Sequence, residues 1–208
     1  MTITVVETTS AGCTSPTATK KAMVDFLDVP PSHLFHDFVI KLAINGVTAG
    51  CGGGNFCPDN DTLRSQMAIF LLRGEHGETY APPPAVGIFA DVPVGSFAAD
   101  FIEQLYAEGI TGGCGTNPLR YCPSNSVLRS QMAIFLLRAE HGGNYAPPPA
   151  IGIFADVPVG SFAADFIEQL YGEGVTGGCG TNPLRYCPNN TVTRGAMAVF
   201  LVRTFNLQ

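Results

Sequence analysis

The chain is written three times over. Aligning Phe26, Phe89 and Phe154 brings Asp28-Val29-Pro30 into register with Asp91-Val92-Pro93 and Asp156-Val157-Pro158, Asp37-Phe38 with Asp100-Phe101 and Asp165-Phe166, and Gly46 with Gly109 and Gly174. Each copy then runs through a cysteine pair, an arginine at 64, 129 or 194, and a closing apolar run, MAIFLLR or MAVFLVR. An internal period of this size is one supersecondary unit repeated, and it constrains the fold more than any local propensity does. The units divide the chain into residues 23–77, 86–142 and 151–208. Proline-rich linkers lie at 78–85 and 143–150, and an extension precedes the first unit at 1–22. The triplets in ETYAPPPAVG and GNYAPPPAIG are stiff and extended, so each separates one unit from the next.

Each unit reads as a helix, a loop and a second helix. In SFAADFIEQLYAEG, Ser96 is the expected N-cap and Gly109 the stop. Phe97, Phe101, Ile102 and Leu105 form the expected apolar stripe between them. In LRSQMAIFLLRAEHGG, Met132, Phe135, Leu136 and their neighbours are apolar on nearly every side, ending at the glycines after His141. A helix of that kind belongs at the centre of a fold, and a single unit is too small to cover it. The expected fold is therefore mainly α. Three helix-loop-helix units pack with pseudo-threefold symmetry around a shared core, and a β-prone extension precedes them.

Composition removes several classes of function. No apolar run approaches the roughly 18 to 20 residues that span a bilayer, so no membrane span is expected. Charged residues make up 13% of the chain and the net charge is −6, which leaves no basic field for nucleic acid. Seven cysteines, six of them in local pairs, point to an oxidising compartment. The N-terminus lacks a basic region followed by an apolar core, so the expectation is an exported, extracellular protein whose signal lies outside this sequence.

The combined pattern FADVPVGSFAADFIEQLYAEGITGGCG…YCPSNSVLRSQMAIFLLR resembles the S-layer homology repeat: F-x-D-V-P, an apolar helix, a glycine turn, a T-R-A-E-like segment and a second apolar helix. Three tandem copies cover residues 23 to 208. The resemblance implies a pseudo-trimeric helical module outside the cytoplasm that attaches proteins to cell-wall polysaccharide. It also implies that Arg64, Arg129 and Arg194 help to form glycan-accepting grooves between repeats. The segment departs from the family at several positions: Leu63 and Leu128 replace the threonine that Thr193 keeps, and Gln66, Gln131 and Ala196 replace the glutamate. The Thr-Glu capping box is thereby lost, so other groups must satisfy the helix starts.

The cysteine pairs Cys51 with Cys57, Cys114 with Cys122, and Cys179 with Cys187 read as disulfide staples. Structural zinc wants four ligands, usually as C-x2-C pairs, and a cysteine nucleophile wants a base that these loops lack. A short disulfide loop contributes about 2.5 kcal/mol by restricting the unfolded chain. No metal, no cofactor and no catalytic pair is expected. Asp28, Asp91 and Asp156 are expected to bond nearby backbone amides, as aspartates in turns do. His33 and His36 are expected at the surface, and the CPDNDT turn is expected to be solvated.

Two functions fit: self-assembly of copies into a layer or fibre, and attachment to wall glycan. The first draws on TITVVETT, whose alternation would place Ile3 and Val5 on one side of an unpaired strand, and on Cys13, the odd cysteine. Those three are the candidate intersubunit residues.

Overall fold

The computed structural model describes residues 25–208. Cys13, Ile3 and Val5, with the strand expected around them, lie outside these residues. Regular structure is almost wholly helical. The elements are α1 (His36–Ile44), α2 (Arg64–His76), α3 (Ala99–Ala107), α4 (Arg129–His141), α5 (Ala164–Gly172) and α6 (Arg194–Thr204). Two small hairpins are formed by β1 (Gly115–Thr116) with β2 (Leu119–Arg120) and by β3 (Gly180–Thr181) with β4 (Leu184–Arg185). Among the described residues no helix is long and apolar enough to cross a membrane.

The second helices α2, α4 and α6 contact one another pairwise. Each also packs on the first helix of a neighbouring copy, α2 on α3, α4 on α5 and α6 on α1. Met67, Leu71, Met132, Leu136, Met197 and Leu201 are fully buried where the second helices meet, which is what their all-round apolar sequence requires.

The starts of these helices are completed by other copies. The amides of Arg64 and Ser65 donate to the carbonyls of Asn125 and Pro123. Those of Arg129 and Ser130 donate to Asn190 and Pro188, and those of Arg194 and Gly195 to Asn60 and Pro58, all at 2.8–3.0 Å. The first amides of a helix have no intrahelical acceptor, so each second helix depends on the loop of another copy. Just before them, Thr62 N donates to Val192 O, Val192 N to Val127 O and Val127 N to Thr62 O, each at 2.9 Å, a closed ring of three hydrogen bonds. Only fragments of a capping box remain. Leu63 N donates to Gln66 Oε1 at 3.3 Å, Leu128 N to Gln131 Oε1 at 3.2 Å, and Ala196 N to Thr193 Oγ1 at 3.3 Å.

The first helices differ from expectation at their start. α3 begins at Ala99, and its cap is Ala98 in the left-handed region at φ +63°, so Ser96 is not the N-cap. Ser96 lies in a turn, donating to Pro93 O and accepting from Ala99 N. The chain leaves Pro93 through Gly95 at φ +79° in a series of single turns that turn Phe97 outward, away from the apolar stripe. The helix stops as expected, with Gly109 at φ +75° and Ile110 N donating back to Leu105 O. His36 departs from expectation as well: it opens α1 with its side chain only 12% exposed, beside Asp25 and Asp37.

The proline linkers are held at their ends by carboxylates, two of them, Glu103 and Glu168, buried. Glu103 accepts from the amides of Val86, Gly87 and Ile88, and Asp100 accepts from Ala85. Glu168 and Asp165 hold residues 150–153 in the same way. A buried carboxylate is tolerable when it is wrapped in N–H donors, and Glu103 and Glu168 make the extended linker part of the packed body.

Candidate functional site

The loop between the two helices of each copy is fixed at its base. Asp28 accepts from the amides of Phe56 and Cys57, Asp91 from Tyr121 and Cys122, and Asp156 from Tyr186 and Cys187, at 2.7–2.8 Å. These partners lie 28 to 31 residues away, so the aspartates do not serve local turns. They clamp the F-x-D-V-P segment of the copy to its cysteine loop, a pairing that only the folded unit brings together. Burial pushes the Asp28 carboxyl up, and the amides of Phe56, Cys57 and Asp28 itself, with His33 nearby, together outweigh it, leaving its pKa below the ordinary value. The three cysteine pairs are bonded within their loops, with Cα atoms 6.0–6.1 Å apart. The CPDNDT turn is tied as well, since Asp61 Oδ1 accepts from the Thr191 hydroxyl at 2.8 Å.

The three arginines singled out by the sequence lie between copies. Arg64 and Arg194 are 3% and 4% exposed. Arg64 Nε donates to Tyr121 O, Arg129 Nε to Tyr186 O and Arg194 Nε to Phe56 O, each at 2.8 Å. Each guanidinium also sits over two rings: Arg64 over Tyr121 and Phe135, Arg129 over Tyr186 and Phe200, Arg194 over Phe56 and Phe70, at 4.6–5.5 Å. Burial lowers the pKa of all three, yet arginine keeps its proton in proteins. The buried Nη2 of Arg64, Arg129 and Arg194 has no hydrogen-bond partner among the described residues.

Two of these arginines back open grooves. The first is lined by Arg64 of one copy, by residues 110–113, Gln131, Ile134, Phe135 and Arg138 of the next, and by Phe162 of the third. The second joins Arg194 to residues 47–50, Gln66, Ile69, Phe70 and Arg73, with Phe97 at its edge. Phe97 and Phe162 are 67% exposed, and Arg73 and Arg138 stand over Phe101 and Phe166 at 5.6 and 5.7 Å. Each groove therefore offers charged donors, an amide side chain, glycine-rich backbone and a flat aromatic face. That set suits a polar ligand with acidic or hydroxyl groups and an apolar face. At the corresponding positions beside Arg129 the sequence has Ala196 for the glutamine and Leu34 for the phenylalanine, and Arg203 donates to Val175 O.

Sequence reasoning placed Phe97 in an apolar stripe and missed its counterpart Phe162, as well as Tyr121 and Tyr186, whose hydroxyls donate to Arg64 O and Arg129 O. The YCP triplet in two copies, against FCP in the first, was the available signal for the tyrosines.

Residues 25–68 match the family model described as the S-layer homology domain. Among curated proteins, the chain is 30% identical over 112 residues to an amylopullulanase of Thermoanaerobacterium thermosulfurigenes. The match covers 54% of this chain and 6% of that protein.

Proposed function

We propose that the chain is a non-enzymatic cell-envelope module of three S-layer homology repeats, at 23–77, 86–142 and 151–208. In this reading they are packed with pseudo-threefold symmetry and hold cell-wall polysaccharide in the grooves between them. The match at residues 25–68 supports the wall-binding reading, and the likeness to 6% of an amylopullulanase fits an appended module better than a catalytic body. The symmetry reading draws on the ring of hydrogen bonds through residues 62, 127 and 192. One observation carries the function: in each of two open grooves a guanidinium at the junction of copies shares the lining with a second arginine, a glutamine amide and an exposed phenylalanine. The guanidinium takes an acidic or hydroxyl group of the glycan, and the ring stacks on a sugar face.

Binding concentrates in the grooves backed by Arg64 and Arg194, because beside Arg129 the sequence has Ala196 and Leu34 in place of the glutamine and the phenylalanine. The module acts at the cell surface, with wall polymer as its partner.

Pull-down on purified wall material tests this. Replacing all three arginines by alanine also breaks contacts between copies, so it is the poorer probe. Phe97→Ala and Phe162→Ala remove exposed rings and leave the core intact. The double variant is expected to lose at least tenfold in wall affinity, about 1.4 kcal/mol, with an unchanged circular dichroism spectrum. A folded double variant that binds as the parent does overturns the groove assignment.

Self-assembly through residues 1–22 is the second reading, resting on Ile3, Val5 and Cys13 in the sequence. Deleting residues 1–13 and comparing assemblies by negative-stain microscopy separates the two. Filaments or sheets that vanish on deletion favour assembly between copies.

A further inference from the structure

At two junctions between copies, a histidine and two glutamates converge. His76 Nε2 lies 3.1 Å from Glu108 Oε1 and 3.8 Å from Glu75 Oε2. The same atoms of His141, Glu173 and Glu140 lie 3.0 and 3.8 Å apart, and within each triad all three ligand atoms fall within 4.8 Å. In both, the histidine and one glutamate end a second helix, and the other glutamate caps the first helix of the next copy.

We propose that these triads are two sites for a divalent transition-metal cation of the zinc type, each fastening a second helix to the first helix of the following copy.

Four observations support this. First, ligands at about 2.0 to 2.2 Å from a tetrahedral zinc stand roughly 3.3 to 3.6 Å from one another, so the triads are already near the spacing that the ion imposes. Second, the imidazole brings a nitrogen donor that favours zinc, copper or nickel over calcium and magnesium. Third, the ligands are held from behind. The His76 ring stacks on Tyr80 at 4.3 Å, and Glu108 Oε1 accepts from Gln104 Nε2 at 2.7 Å and from the Tyr80 hydroxyl at 3.3 Å. At the other junction the His141 ring lies 4.4 Å from the Tyr145 ring, and Glu173 Oε1 accepts from Gln169 Nε2 at 2.7 Å. Such outer contacts orient metal ligands. Fourth, two carboxylates face a single imidazole at each junction, a local excess of negative charge that a divalent cation neutralises. The side chains are 22–34% exposed, so an ion can enter and keep a water in the fourth position.

The third junction lacks the whole set. The corresponding positions are Phe205, Asn206 and Asn45, and there the contacts are Phe205 over Gly74 and Asn45 Nδ2 donating to Gln208 O at 2.9 Å. The three ligands are present together at two junctions and absent together at the third, as expected of residues that act as a unit. The expectation of no metal came from the cysteine loops, where the sulfurs are bonded to each other.

The test is isothermal titration of zinc chloride alone into the full chain with Cys13→Ser, which removes the odd thiol as a competing ligand. Two zinc ions per chain are expected, falling to one in His76→Gln or His141→Gln and to none in the double variant. Circular dichroism checks that each variant is folded. Glu108→Gln and Glu173→Gln give a second, isosteric route to the same loss. Thermal midpoints should rise with zinc in the parent and stay fixed in the double variant. Absence of zinc uptake, uptake unchanged in the folded double variant, or equal displacement by calcium overturns the assignment.

Discussion

Arg64 and Tyr121 hold each other by two reciprocal hydrogen bonds. Arg64 Nε donates to the Tyr121 carbonyl and the Tyr121 hydroxyl donates to the Arg64 carbonyl, both at 2.8 Å. Arg129 and Tyr186 repeat the exchange. Arg194 has only half of it, because Phe56 stands in the tyrosine position and has no hydroxyl. Since Phe56 fills that place without strain on the fold, Tyr121→Phe should keep the packing and lose one buried hydrogen bond, about 0.5 to 1.5 kcal/mol. For a domain of this size that is a fall in Tm of about 2 to 4 °C per kcal/mol. A denaturation midpoint equal to the parent's would show that the hydroxyl contributes nothing across the junction.

Each disulfide closes a loop in which the second cysteine is left-handed: Cys57, Cys122 and Cys187 have φ of 60°, 59° and 57°. That conformation is unfavourable for a residue with a side chain, so the loop leans on its cross-link and on the aspartate beneath it. Replacing Cys114 and Cys122 together by serine should destabilise the chain by about 2.5 kcal/mol. Chemical denaturation of that variant beside the parent measures it, and equal midpoints would remove the staple role.

How much of this was legible in the sequence depends on the range of the interaction. The second helices were readable because their apolar character is local, and the stop at Gly109 because a glycine there needs positive φ. The partners of the Arg64 and Ser65 amides, at 125 and 123, were not readable, since backbone donors and acceptors carry no side-chain signal and the loop is in another copy. The aspartates were identified as amide acceptors but assigned to the wrong amides, because a turn aspartate and a clamp reaching 30 residues look alike in a string of letters. Phe97 was misassigned because helical spacing was extended past the true helix start at Ala99. The arginines were located through the resemblance. Their placement over aromatic rings was not, and it makes all three contacts between copies, with Arg64 and Arg194 also lining grooves.

Acid should loosen the first copy through Asp28. Partial burial raises its pKa, but the backbone amides of Phe56, Cys57 and Asp28 itself, with the nearby His33, together lower it more, and the folded value lies below the ordinary 3.8. A group with a depressed folded pKa contributes stability above its unfolded value and loses it as pH falls through the folded one. Stability should therefore decline below about pH 4. Asp28→Asn, which does not ionise, should be less stable at neutral pH and show a shallower decline. Unfolding free energies followed from neutral to acid pH would decide the matter, and parallel curves for the two proteins would exclude Asp28 as a source of the slope.

The contact between α6 and the first copy is built from a small and large pair that the other junctions do not use. Gly195 follows Arg194 at the start of α6, and a Cβ placed there would run into the Phe35 ring. At the other two junctions the corresponding residues are Ser65 with Ala98 and Ser130 with Ala163. The glycine and the phenylalanine thus compensate for each other, one giving up volume where the other adds it. Gly195→Ser alone should overpack the junction and destabilise the chain by about 1 to 3 kcal/mol. Phe35→Ala alone removes a ring packed against the core and leaves a void, which also destabilises. The double variant recreates the serine and alanine pair already present twice in the molecule, so its loss should be clearly smaller than the sum of the two. A double-mutant cycle reads this as a coupling energy, of the order of 0.5 to 3 kcal/mol for residues in contact. If the two losses simply add, Gly195 is there for a reason other than Phe35.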